Sequence, residues 1–190
     1  IYTIQNSPVI RVNIVLVSTE TGVGNVLKVV QEHQSDRRNV VIKITSEISI
    51  PDEPHIDAIL EFQQGSKPYP ELKRFLRLYK ENVEKRSLLC YDFRDFFMLI
   101  RGRNVISIVS YEYRENITEA LDQLKSVKTH EGVRYLLYFS VDKCDNDEIG
   151  NRQASIRDFM DAFPCENITY WNIGESSSQI VALIASIPIE

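Results

Sequence analysis

No apolar run in this 190-residue chain approaches the ~20 residues needed to cross a bilayer, and its first residues carry no secretory leader pattern. Cys90, Cys144 and Cys165 stand at irregular spacing without a CxxC pair, so they are read as reduced thiols and not as a disulfide framework. His33, His55 and His130 are isolated, with no HxH, HExxH or Cys/His spacing, and there is no GxSxG elbow. These absences leave zinc sites and serine-hydrolase chemistry without support. Positive charge is short as well: 22 Lys and Arg against 27 Asp and Glu give −5. That balance argues against a domain built mainly to bind nucleic acid, which needs clustered cations. Repeats, low-complexity stretches and long linkers are missing too.

What is present suits one cytoplasmic domain over residues 1–190, 43% hydrophobic and 26% charged, long enough to bury a core. The opening Ile1 is read as the start of a domain cut from a longer polypeptide. The sequons at Asn116 and Asn167 are taken as chance matches, and the acidic cluster Asp142, Asp145, Asp147, Glu148 as a solvated loop, since it lacks EF-hand spacing.

Strand-like and helix-like segments alternate. Residues 11–17 form a β-branched run expected of a buried strand. A turn at 18–24 leads to a helix over 26–33. Two strands, 39–50 and 55–62, follow with only Pro51-Asp52-Glu53-Pro54 between them, a turn signal. Residues 68–102 are helical in pattern, although 87–93 also suits a short strand. Then come a strand at 105–110, a helix at 118–127 capped around Asn116, a strand at 133–141, a helix at 151–163, a strand at 168–172 and a final helix at 176–187. The expected architecture is α/β: a mostly parallel sheet with one antiparallel edge, from the two consecutive early strands, and helices on both faces.

Three stretches sit where a nucleotide-binding fold would place its chemistry. After the first buried strand comes Thr19-Glu20-Thr21-Gly22-Val23-Gly24-Asn25-Val26, set against the GxxxxGK[ST] pattern whose backbone N–H groups cradle phosphates. After the strand at 133–141 comes Asp142-Lys143-Cys144-Asp145, set against NKxD. Across the end of the last predicted strand runs Tyr170-Trp171-Asn172-Ile173-Gly174-Glu175. Together with the order of elements, these stretches resemble a degenerate Ras-like small GTPase domain, a pseudo-GTPase. The resemblance implies a vestigial nucleotide site at Gly22, Val23, Gly24, Asn25, Lys143 and Asp145, with Lys143 along the base and Asp145 on the guanine edge. A DxxG counterpart falls either on Phe62 and Gly65 or on Asp92 and Asp95; the first is preferred because it keeps the hairpin short.

The resemblance also implies losses. Asn25 stands where the phosphate-binding lysine is expected and Val26 where the magnesium ligand is, while Glu20 adds negative charge. Phosphoryl transfer depends on that positive charge and metal, so neither GTP hydrolysis nor a tightly held cofactor is expected. The expected function is an inactive interaction or regulatory domain with a protein partner, or other domains of the same chain. The alternatives are an atypical guanine-nucleotide switch and an unrelated doubly wound interaction domain. Residues 68–102 are rich in aromatics and arginine, types enriched at interfaces. Within them Phe75 and Tyr79, with Arg74 and Arg77, are expected to be exposed and to meet the partner.

Overall fold

A computed structural model of the protein describes residues 2–5, 11–33, 37–45, 47–62, 68–84, 93–114, 116–141, 146–165, 168–174 and 179–189. In chain order the elements are β1 (Tyr2–Gln5), β2 (Arg11–Val17), α1 (Glu20–Glu32), β3 (Arg37–Lys43), β4 (Ala58–Phe62), α2 (Pro68–Glu84), α3 (Phe93–Ile100), β5 (Gly102–Glu112), α4 (Ile117–Leu124), β6 (Arg134–Val141), α5 (Asn146–Ala162), β7 (Ile168–Gly174) and β8 (Ile180–Pro188). The described strands form one eight-stranded sheet in the order β1-β2-β3-β4-β5-β8-β6-β7. Strands β2 to β5 are parallel neighbours, β6 and β7 are parallel, and β1 pairs antiparallel with β2 at one edge. The α/β class with a mostly parallel sheet is as the sequence predicts.

Two elements differ from the expectation. β3 and β4 are parallel, with Val40 opposite Ala58 and Ile42 opposite Leu60, so residues 44–57 are a crossover and not a hairpin. The crossover contains no helix among its described residues, yet it does the work of one. Ile48 and Ile50 are buried with Val23, Val26 and Val30 of α1 over Val15, Val41 and Ile59. The segment predicted as a last helix is instead β8, inserted antiparallel between β5 and β6. A continuous apolar run of this length suits a buried strand as well as a helix. Here alternate residues serve two cores: Ala182 and Ile184 lie in one, Val181 and Leu183 in the other. A helix would have turned only one stripe inward.

One layer of helices, α2 and α3, covers one sheet face through Leu72, Phe75, Leu78, Phe96, Leu99 and Ile100. On the opposite face, α1 covers β2 to β4, and α4 and α5 cover β6 and β8 through Ile117, Leu121, Leu124, Ile156 and Phe159. The Asn116 side chain caps α4 as expected, accepting from Thr118 N at 2.9 Å. Between α3 and β5 the chain turns through Gly102 at φ 84, in the left-handed region where a side chain is strained. Arg134 and Asn104 complete that junction. Arg134 donates to the carbonyls of Met98 and Arg101 at 2.8 and 3.0 Å, and Asn104 to those of Ile100 and Arg101 at 2.8 and 3.0 Å. The leftover carbonyls of Met98 and Ile100 at the end of α3 are thereby satisfied.

Phe75 does not lie on the surface. It is 2% exposed and packs edge-on to Phe62 (ring centroids 6.1 Å apart) and against Phe96 (5.5 Å). The helical spacing that seemed to mark a binding face marks the core stripe instead, because the α2 face carrying Leu72, Phe75 and Leu78 meets the sheet. Arg74 and Arg77 are exposed on the outer face, and the side chain of Tyr79 lies outside the described residues. Phe75→Ala is therefore expected to lower unfolding stability by about 3–5 kcal/mol, the cost of an aromatic-sized cavity. Arg74→Ala should change it by less than about 0.5 kcal/mol; urea denaturation of both variants measures this.

Candidate functional site

Doubly wound sheets bind ligands beyond the carboxyl ends of their parallel strands. At that end β2 stops at Val17, and α1 begins at Glu20 after only Ser18 and Thr19. Thr19 is the N-cap, in extended conformation (φ −145, ψ 152), and its hydroxyl accepts from Gly22 N at 3.2 Å. Its hydroxyl also lies 3.1 Å from that of Thr21. Gly22 allows the cap to close: a Cβ there would sit 3.3 Å from Thr19 Oγ1 and 3.4 Å from Val17 Cγ2. Gly24 has no such role, since a Cβ on it would meet nothing within 4 Å.

The glycine segment differs in form from an open phosphate loop. Gly22, Val23, Gly24 and Asn25 all lie within the first two turns of α1 and not in an open loop. Val23 is 8% exposed and belongs to the core, as does Val26. Gly24 and Asn25 are exposed. The apolar spacing of Val23, Val26 and Val30 continues the helix back through the glycines, and the Thr19 cap overrides their low helix propensity. Lys143 and Asp145 lie outside the described residues, as do Gly65 and Asp92.

Three charged side chains near the turn are held by bonds. Lys43 at the end of β3, 8% exposed, bonds Glu61 near the end of β4. Glu20 accepts from Ser49 N at 3.0 Å and thereby ties the crossover to the start of α1, where a carboxylate is favoured by the helix dipole. Neither Lys43 nor Glu61 stands out in the sequence. Each lies at an alternate strand position facing α1, and only the parallel pairing of β3 with β4 sets them side by side. The opposite end of the strands is polar in another way. Arg37 donates to Asn13 (2.9 Å) and Asn13 to Asn39 (3.0 Å), while Asp57 accepts from Asn39 N (2.7 Å) and Arg38 (2.8 Å). Among the described residues no group of His, Cys, Asp and Glu is placed to hold a metal, and no helix is long and apolar enough to cross a membrane.

No protein-family model matches the chain, and no curated protein does. Solved structures do. The chain is similar to the FtsZ W319Y mutant of M. jannaschii, at 14% identity and TM-score 0.56, over 93% of this chain and 65% of that one. It is similar to CetZ2 of Haloferax volcanii in a GTPγS-bound protofilament, at 12% identity and TM-score 0.61, over 94% and 65%. TubZ of Bacillus thuringiensis serovar israelensis, in a GTPγS-form protofilament, gives 9% identity and TM-score 0.51, over 93% and 60%.

The fold is that of FtsZ, CetZ and TubZ. This corrects the Ras-like resemblance: the parallel β3–β4 pair and the central antiparallel β8 are features that the Ras-like reading did not anticipate. The reading of an inactive small-GTPase relative serving as an interaction domain rested on that resemblance. It is overturned with it, because the structural neighbours include GDP-bound and GTPγS-bound proteins and protofilaments. The chain spans 60–65% of the length of the neighbours named above.

For an anionic ligand the fit at the FtsZ-like β2–α1 junction is partial. The first turn of α1 presents backbone N–H donors beyond the strand ends, as an anion requires. Among the described residues, Glu20 and the neutralised Lys43 leave little net positive charge there. The cap contributes to stability: Thr19→Ala is expected to destabilise the fold by about 1 kcal/mol, and Thr19→Ser to restore it, as read from denaturant midpoints.

Proposed function

We propose that this chain belongs to a self-associating, filament-forming subunit whose assembly responds to a guanine nucleotide. The observation that carries this reading is the junction of β2 and α1. It places the capped N-terminus of α1 at the carboxyl end of the parallel strands, in a fold shared with proteins solved as GDP-bound monomer and GTPγS-bound protofilament. Contact with phosphate would come from backbone N–H groups and the Thr19 and Thr21 hydroxyls, not from a lysine. Within one isolated copy we propose that GTP is not hydrolysed, because Lys43, the cation at this end of β3, is already neutralised by Glu61. Repetition of one head-to-tail contact between identical copies generates a filament when the rotation does not close a ring.

Sedimentation of the purified chain with magnesium, with and without GTPγS, tests the reading. A nucleotide-dependent rise in sedimenting mass with protein concentration is the expected outcome. A single monomeric species under both conditions, at every concentration, overturns it.

A further inference from the structure

The C-terminal end of α3 lies at the amino-terminal end of the parallel strands, away from the β2–α1 junction. Arg38, Phe97, Met98, Arg101 and Arg134 gather there. The Arg38 guanidinium lies over the Phe97 ring, 5.3 Å from its centroid. Arg101 follows the helix directly, its N–H bonded to Phe97 O at 2.9 Å, and Arg134 reaches Met98 O and Arg101 O from β6. Met98 is 45% exposed, one of few large apolar side chains so open among the described residues.

Among the described residues, the one carboxylate bonded to these arginines is Asp57, which accepts from Arg38. The Arg38 side chain keeps 55% of its exposure in that pair. Arg101 is exposed, and its side chain has no hydrogen-bond or ion-pair partner among the described residues. Burial, and then the like charge of Arg101, hold the Arg134 guanidinium below the usual arginine range. Arg134 has a structural duty as the cap of α3; Arg101 has none. In a chain of net charge −5, a local excess of positive charge beside an open Met and a half-buried Phe is an unbalanced arrangement. Arginine, Met and Phe are also the types enriched where proteins meet.

We infer that this face docks an acidic segment of a second protein, with carboxylates on Arg101 and Arg38 and an apolar side chain against Met98. A carboxylate pairs with the planar guanidinium in a two-bond fork, and the negative charge of the rest of the chain confines such a segment to this patch. Phe97 and Met98 supply the apolar floor that a solvated arginine cluster lacks.

The test uses a fluorescent peptide of alternating Glu and Leu, titrated into the full chain by anisotropy, with a Gln–Leu peptide and hexaglutamate as comparisons. Binding of the Glu–Leu peptide is expected to exceed both and to weaken as salt rises. Arg101→Glu should reduce it about tenfold or more, and Met98→Ser about threefold, with melting temperatures unchanged because both side chains are exposed. Equal binding by the two variants and the unmodified chain overturns the inference. So does equal competition by poly-U RNA or phosphatidylserine vesicles without dependence on Met98, which would mark a general polyanion surface. Loss of self-association in Arg101→Glu with no peptide binding would place the patch between copies instead, and also overturns it.

Discussion

Strand β8 is hydrogen-bonded on both sides, to β5 from Ile180 to Pro188 and to β6 from Val181 to Ser186. Its side chains point alternately into two hydrophobic clusters, so it is a shared wall of both. Without it the β2–β5 half and the β6–β7 half would have no common ladder, and α4 and α5 would lose the part of their core that Val181 and Leu183 supply. Burying apolar area contributes about 25 cal/mol per Å², and Val181, Ala182, Leu183 and Ile184 are each at most 2% exposed. The rest of the architecture depends on that insertion.

The opposite demand, hydrogen bonding of buried polar groups, shapes the amino-terminal end of the parallel strands. Asn13, Asn39 and Asn104 are at most 1% exposed, where an unpaired amide costs about 1–3 kcal/mol. Each is paired, and in each case an arginine donates to it or to its partner: Arg37 to Asn13, Arg38 to Asp57, Arg134 to Asn104. The arginines gathered at this end therefore divide into those that hold the sheet ends and those, such as Arg101, left facing solvent. The same division separates structural from interactive charge on the proposed docking face.

At the carboxyl end the chemistry is quieter than the sequence suggests. The glycines at 22 and 24 read as a loop because glycine is common in loops, but the N-cap at Thr19 and the valines at 23, 26 and 30 draw them into a helix. What persists is the position of a helix N-terminus over the strand ends, a property of the βαβ connection and not of any one residue. The FtsZ-like fold keeps that position while the side chains around it differ from those of a phosphate-binding loop.

Much of the fold was legible along the chain. The buried strands at 11–17 and 133–141, the Asn116 cap and the α/β class follow from hydrophobic period and capping chemistry, which are local. The core identity of Phe75 was not legible, since the same spacing serves a binding face or a buried stripe, and only the packing of α2 on the sheet decides between them. Nor were the parallel pairing of β3 with β4, the Lys43–Glu61 pair and the strand nature of 180–188. Each depends on which strand lies beside which, a contact between residues 18 to about 80 positions apart. The sequence by itself determined the elements and their polarity of burial; tertiary structure decided their neighbours, because pairing energy is realised only when distant segments meet.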